Sequence, residues 1–193
     1  MQTRPPRSLL VACALALALP AAAQETYVID GAHTTPMFEI AHNGGMSRQR
    51  GFFTNTAGRV TLDRAAKAGT IDVVIGTGSV VTGSRVLTEV LKRDDFFASE
   101  RFPTMRFASR DVAFDGDVPV AARGELTLLD VTRPVTLQIA DFKCGTQPFT
   151  RRPMCGAEVT ATIRRSEFGM TYGVPNVAGD EVRIVIPVEA VRE

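Results

Sequence analysis

Tryptophan is absent from the 193 residues, and only two histidines, two tyrosines and three cysteines occur. These scarcities remove several chemistries. His33 and His42 lie nine positions apart and belong to no HExxH or comparable zinc pattern, so an ordinary strand or turn role is expected for both. No Gly-x-Ser-x-Gly elbow is present, and Gly76-Thr77-Gly78-Ser79 lacks the flanking pattern of a phosphate loop. Asp94-Asp95 could serve as an acid–base pair, but adjacent carboxylates after a helix more commonly form a solvated turn. No catalytic residue, metal site or cofactor is therefore expected. Neither charge sign dominates: 22 Lys and Arg face 21 Asp and Glu, interspersed along the chain, which argues against a nucleic-acid footprint.

Long apolar runs are also missing beyond the first 23 residues, where nothing approaches the ~20 that a membrane helix needs. The first 23 residues read as a secretory signal, with Arg4 and Arg7 as the positive region, Ser8 to Leu19 as the apolar stretch and Ala21-Ala22-Ala23 before the cut at Gln24. A rival processing signal, Leu10-Val11-Ala12-Cys13, would place a lipid on Cys13. Only Ser8 to Ala12 separate it from Arg7, too few apolar residues to favour that reading. A single soluble, exported domain over 24–193 is expected, in the periplasm, where Cys144 and Cys155 pair by default into a disulfide closing a structural loop.

What is present is period-two alternation. Ile71, Val73 and Ile75 share a face, as do Val135, Leu137 and Ile139; Val159, Ala161 and Ile163; and Val182, Ile184, Ile186 and Val188. Eight or nine strands follow, near Tyr27 and over 37–42, 51–63, 70–77, 104–114, 120–129, 135–142, 157–166 and 181–190, with a turn predicted over Asp130 to Pro134. One helix is predicted over Ser84–Lys92, with Val86, Leu87, Val90 and Leu91 as its apolar stripe. One-sided strands without covering helices imply an antiparallel sheet closed on itself, and about eight strands enclose just enough space for side chains or one small ligand. With medium-sized Val, Ile, Leu and Ala pointing inward, a void is expected, the alternative being a filled core. Four of eleven phenylalanines crowd into Leu91–Phe107, between the helix and a strand, where they would plug one end of such a cavity.

The ordered landmarks resemble the YceI-like family. They are Tyr27-Val28-Ile29-Asp30 with Ala32-His33-Thr34, Phe38 with His42, Gly51-Phe52-Phe53, Gly58-Arg59-Val60-Thr61-Leu62-Asp63, Asp94-Asp95-Phe96-Phe97, Phe102-Pro103-Thr104-Met105-Arg106-Phe107, Gly124-Glu125-Leu126-Thr127-Leu128, Val131-Thr132-Arg133-Pro134-Val135-Thr136-Leu137, Arg165-Ser166-Glu167-Phe168-Gly169-Met170, and Gly179-Asp180-Glu181-Val182. The resemblance implies an all-β, closed, eight-stranded, lipocalin-like antiparallel barrel with one short helix, holding a long isoprenoid lipid such as a quinone or polyprenyl lipid in its lumen. Where many members carry Arg-Asp-x-His-Leu, this chain has Leu87-Thr88-Glu89-Val90-Leu91, which puts a polar role for that stretch in doubt. The expected ligand contacts are Phe38, Phe96, Phe97, Met105, Phe107, Phe168 and Met170, with Leu87 and Leu91 at the entrance.

The expected function is a non-enzymatic periplasmic carrier of an isoprenoid lipid. Two rivals stand beside it: a filled barrel acting as an interaction or stress-response module, its Arg151-Arg152 tip meeting anionic head groups, and a small enzyme using His33, His42 or Asp94-Asp95. Transient membrane contact and a homodimer stay open.

Overall fold

The computed structural model describes residues 24–193, so the expected signal segment and Cys13 lie outside the described residues. The strands are β1 (Glu25–Ile29), β2 (Met37–His42), β3 (Ser47–Phe53), β4 (Thr56–Asp63), β5 (Ala68–Gly76), β6 (Val80–Thr82), β7 (Thr104–Asp115), β8 (Val118–Leu128), β9 (Val131–Thr146), β10 (Pro153–Arg164) and β11 (Ala178–Arg192); helix α1 spans Arg85–Leu91. All pairings are antiparallel, in the order β1-β4-β5-β7-β8-β9-β10-β11-β2-β3-β6, with β1 also pairing β11.

That extra pairing closes the barrel. Eleven segments make eight staves because the first three staves are bent: β1 and β2 both lie along β11, while β4–β5 and β3–β6 form two halves of one kinked hairpin. The kink at Thr54-Asn55 is held by Thr54 N–H donating to Ser79 O and Gly76 N–H donating to Asn55 O. Where β1 and β2 part, the buried Thr34 hydroxyl donates to Glu189 O and accepts from Glu189 N–H, replacing strand pairing across the gap.

The expected alternation is present. In β11, Val182, Ile184, Ile186, Val188 and Ala190 face inward while Glu181, Arg183 and Glu189 face out. An apolar interior and a polar exterior reverse the arrangement of a membrane-spanning barrel. Cys144 and Cys155 are direct cross-strand partners in β9 and β10, joined by a disulfide with Cα atoms 4.0 Å apart.

Two boundaries differ from expectation. The predicted turn over Asp130–Pro134 is only Leu129-Asp130, both at positive φ (52° and 61°), and Pro134 lies within β9 opposite Glu125. β9 pairs with β10 only from Gln138 onward, so Pro134 sits where the strand has one neighbour, an edge condition that tolerates proline. The strand expected over 51–63 begins at Ser47 and is broken at Thr54-Asn55, because Asn43, Gly44 and Gly45, all at positive φ, turn the chain early.

Candidate functional site

The barrel encloses a cavity of about 390 Å³ running from Tyr27, Leu62 and Cys155 at the disulfide end to Leu87, Leu91, Phe96 and Tyr172 at the helix end. The inward positions of β11 from Val182 to Ala190 cover about 26 Å of strand at about 3.3 Å per residue, and roughly 20 Å of axis at a tilt near 40°. Val182, Ile184, Ile186 and Val188 are only half-buried although they point inward, because part of their accessible surface faces the lumen. Medium-sized side chains leave this barrel open.

The large rings do not fill it, for a local reason. Phe38 lies over Gly51, its direct cross-strand partner; a Cβ there would come within 2.5 Å of the ring's Cζ. Phe107 lies over Gly124, two residues along β8 from its direct partner Leu126, with Cζ 2.6 Å from an added Cβ. Each glycine lets a ring flatten against the wall. Around the helix end, Phe53 packs on Phe38 (6.1 Å between centroids) and edge-on to Phe97 (5.3 Å), and Phe96 meets Tyr172 edge-on at 5.6 Å.

Helix α1 is placed by its neighbours. Ser84 caps it, its hydroxyl accepting from Leu87 N–H; Thr88 Oγ1 accepts from Thr82 N–H (2.9 Å), tying the helix to β6. Leu87, Val90 and Leu91 then face the lumen. Within Leu87–Leu91, Thr88 thus holds the helix and Glu89 pairs with Lys92 at 2.9 Å. The phenylalanine loop is pinned where it joins β7: the fully buried Thr77 donates its hydroxyl to Phe102 O (2.6 Å) and its N–H to Pro103 O.

Phe38, Leu87, Leu91, Phe96, Phe97, Met105, Phe107 and Met170 all line the lumen. Phe168 does not. It is 1% exposed, in the packed cluster with Phe53, Val80 and Met105, because the 3-10 turn Arg165–Phe168 drives it into the wall before Gly169, in the left-handed region at φ 86°, redirects the chain.

Sequence reasoning missed Arg165, two residues past the end of a regular strand pattern. It is 3% exposed and donates to four backbone carbonyls: Nε to Gly179, Nη1 to Met170, and Nη2 to Tyr172 and Ala178. Burial pushes its pKa down, partly offset by Asp180. Asp180 in turn accepts from the Ser166 N–H and hydroxyl, both at 2.9 Å. The guanidinium staples the 170–179 loop to the lumen rim. The other polar groups on the lumen are few; the Thr56 hydroxyl is buried and has no hydrogen-bond partner among the described residues.

The residues considered for catalysis are scattered. His33 is on the β1–β2 turn, hydrogen-bonded through Nδ1 to Asp30 at 2.9 Å and 4.0 Å from Glu189. That hydrogen bond raises the His33 pKa and lowers that of Asp30. His42 lines the lumen near the helix end, while Asp94 and Asp95 are exposed on the phenylalanine loop. Asp30, His33 and Glu189 bring ligand atoms within 4.8 Å of one another, but Asp30 also accepts from Ala32 N–H at 3.0 Å, so turn formation accounts for it.

A closed antiparallel barrel with an apolar lumen and a polar exterior is the architecture of a small-ligand-binding barrel. The family model for the YceI-like domain matches residues 27–190, and the chain belongs to that family. A UPF0312 protein of Pseudomonas aeruginosa (strain LESB58) is 33% identical over 190 residues, covering 95% of this chain and 97% of the relative. Protein YceI of Salmonella arizonae is 32% identical over 170 residues, covering 86% and 87%. Among solved structures, BcnA of Burkholderia cenocepacia superposes with a TM-score of 0.69 at 21% identity, over 83% of this chain and 98% of that one. A polyisoprenoid binding domain from Saccharophagus degradans superposes with a TM-score of 0.63 at 16% identity, over 86% and 98%. Both share the fold.

Proposed function

We propose that the protein is a binding and carrier protein for a long-chain isoprenoid lipid, a quinone or a polyprenyl lipid, held in the lumen without catalysis. The observation that carries this reading is the open lumen itself, long, narrow and walled by Ile, Val, Leu, Phe and Met. Each Å² of prenyl chain moved from water into it gains roughly 25 cal/mol. The structural neighbour described as a polyisoprenoid binding domain supports the same ligand class. Phe38, Phe96, Phe97, Met105, Phe107 and Met170 contact the tail, with Leu87 and Leu91 at the entrance. Residues 1–23 act as a cleaved export signal, 24–193 form the mature periplasmic domain, and the disulfide fits an oxidising compartment.

Native mass spectrometry of protein purified from the periplasm tests this. The expected result is a lipid-sized mass adduct, and after delipidation stoichiometric uptake of ubiquinone or a polyprenol. A barrel that is uniformly empty and takes up neither ends the carrier reading.

A further inference from the structure

The lumen has two ends, and their surfaces differ. At the helix end three separate segments meet: the β2–β3 turn over 43–46, the 171–177 loop and α1. Asn43 N–H donates to Val177 O and Gly44 N–H to Asn176 O, joining the first two, while Tyr172 meets Phe96 of the loop that follows the helix. Each segment exposes an apolar side chain: Met46 is 85% exposed, Val86 75%, Tyr172 55% and Val177 48%. Isolated exposed apolar residues are commonplace, but Met46, Tyr172 and Val177 lie on two segments hydrogen-bonded to each other at the helix end of the lumen, and Val86 is on the helix that lines that end. Tyr172 and Val177 also line the cavity, so the apolar surface runs from the outside into the lumen wall without interruption.

Charge at this end is consistent with a lipid surface. Arg48 and Arg50 on β3 both pair with Glu39 of β2, at 3.3 and 2.6 Å, and residues 168–179 contain no charged side chain at all. The acidic groups nearby, Glu89, Asp94 and Asp95, lie on α1 and the loop after it, beside Arg85, Lys92 and Arg93. The balance is near neutral, which suits shallow insertion of apolar side chains into the headgroup boundary more than adhesion by charge alone.

We infer that the crown formed by Met46, Val86, Tyr172 and Val177 docks on a phospholipid bilayer with the helix end of the lumen facing the acyl region, so that a lipid passes between membrane and barrel without crossing water. This deepens the proposed carrier function and rests on it. The opposite end offers a built-in control. Phe149, 90% exposed, sits there beside Arg151 and Arg152 on the β9–β10 loop beyond the disulfide, and a membrane-seeking role for that tip predicts the reverse orientation.

Co-sedimentation with phosphatidylethanolamine–phosphatidylglycerol vesicles separates the two. Met46 and Val86 do not line the lumen, so Met46→Asp/Val86→Asp should keep its lipid by native mass spectrometry yet lose vesicle partitioning by roughly tenfold or more, about the burial of one aliphatic side chain. Phe149→Asp should partition as the unaltered protein does. Equal loss from Phe149→Asp, or unchanged binding by the double variant, overturns the assignment. So does an unaltered protein that holds lipid but does not bind vesicles, and in that case the carrier reading stands. Loss of self-association in place of vesicle binding would make the crown a contact between copies. An unaltered protein that docks on vesicles but never takes up lipid would remove the carrier reading and leave the docking face.

Discussion

Arg165 shows what one residue can hold at a cavity rim. A guanidinium carries five donors in a fixed fork, and four carbonyls from the 170–179 loop converge on it. Arg165→Met would strip all four of their donor in a buried setting, where each orphaned polar group costs about 1–3 kcal/mol. A loss of at least about 3 kcal/mol is expected, read as a drop in Tm of roughly 6–12 °C for a domain of this size. Arg165→Lys keeps the charge but cannot reproduce the fork, so it should recover only part of the loss. A Tm within about 2 °C of the unaltered protein in Arg165→Met would show that the carbonyls find other donors. Nothing in the chain flags this role in advance. Arg164-Arg165 at the end of a strand pattern reads as surface, and Phe168, expected among the ligand contacts, packs in the wall cluster.

Among the elements, the strands were the legible part. Period-two runs located the inward faces of β5, β9 and β11 because a half-wet sheet must alternate. The kink between β3 and β4 was not legible, because it depends on Thr54 N–H donating to Ser79 O and Gly76 N–H donating to Asn55 O across the two hairpin halves, which no local pattern encodes. The openness of the lumen was only partly legible: side-chain size suggested a void, but the way Phe38 and Phe107 leave it clear depends on glycines in adjacent strands. Gly51→Ala tests this. Its Cβ would sit 2.5 Å from Phe38 Cζ and 2.9 Å from Val81 O, so the ring must swing away from the wall and the backbone must ease. The nearest free space for the ring is the lumen. The variant should lose about 1–3 kcal/mol from overpacking and show reduced lipid stoichiometry in native mass spectra. Full lipid loading with unchanged stability would mean that the glycine is incidental.

At the scale of the whole barrel, carboxylates clip neighbouring segments together around the wall. Asp72 on β5 receives two hydrogen bonds from Arg106 on β7, both at 2.7 Å; Asp117 receives one from Lys67 at 2.7 Å, linking two turns; Asp180 holds Ser166; Asp30 holds His33. All four aspartates have pKa values lowered below 3.8, Asp72 through its bond with Arg106, Asp117 through Lys67, and Asp30 through His33. For Asp180 desolvation opposes the shift and the Ser166 bonds outweigh it. A depressed folded-state pKa means that the unfolded chain binds the proton more readily, so this stabilisation is complete above about 3.8 and is lost as pH falls through the folded values. His33 has the opposite sign: its pKa is raised above 6.5, so its contribution is present below that and fades as pH rises through the folded value. Because His33 is fully exposed and shares one bond with Asp30, the alkaline slope should be shallow. Tm should therefore be nearly flat from about pH 5 to 6.5 and fall below about pH 4. Asp180→Asn should lower the neutral Tm and shallow the acid limb, since the amide still accepts one bond from Ser166 but no longer gains by ionising. Thermal melts from pH 3 to 9 decide it. An Asp180→Asn curve parallel to that of the unaltered protein at every pH would show that this carboxylate is not one of the groups that titrate.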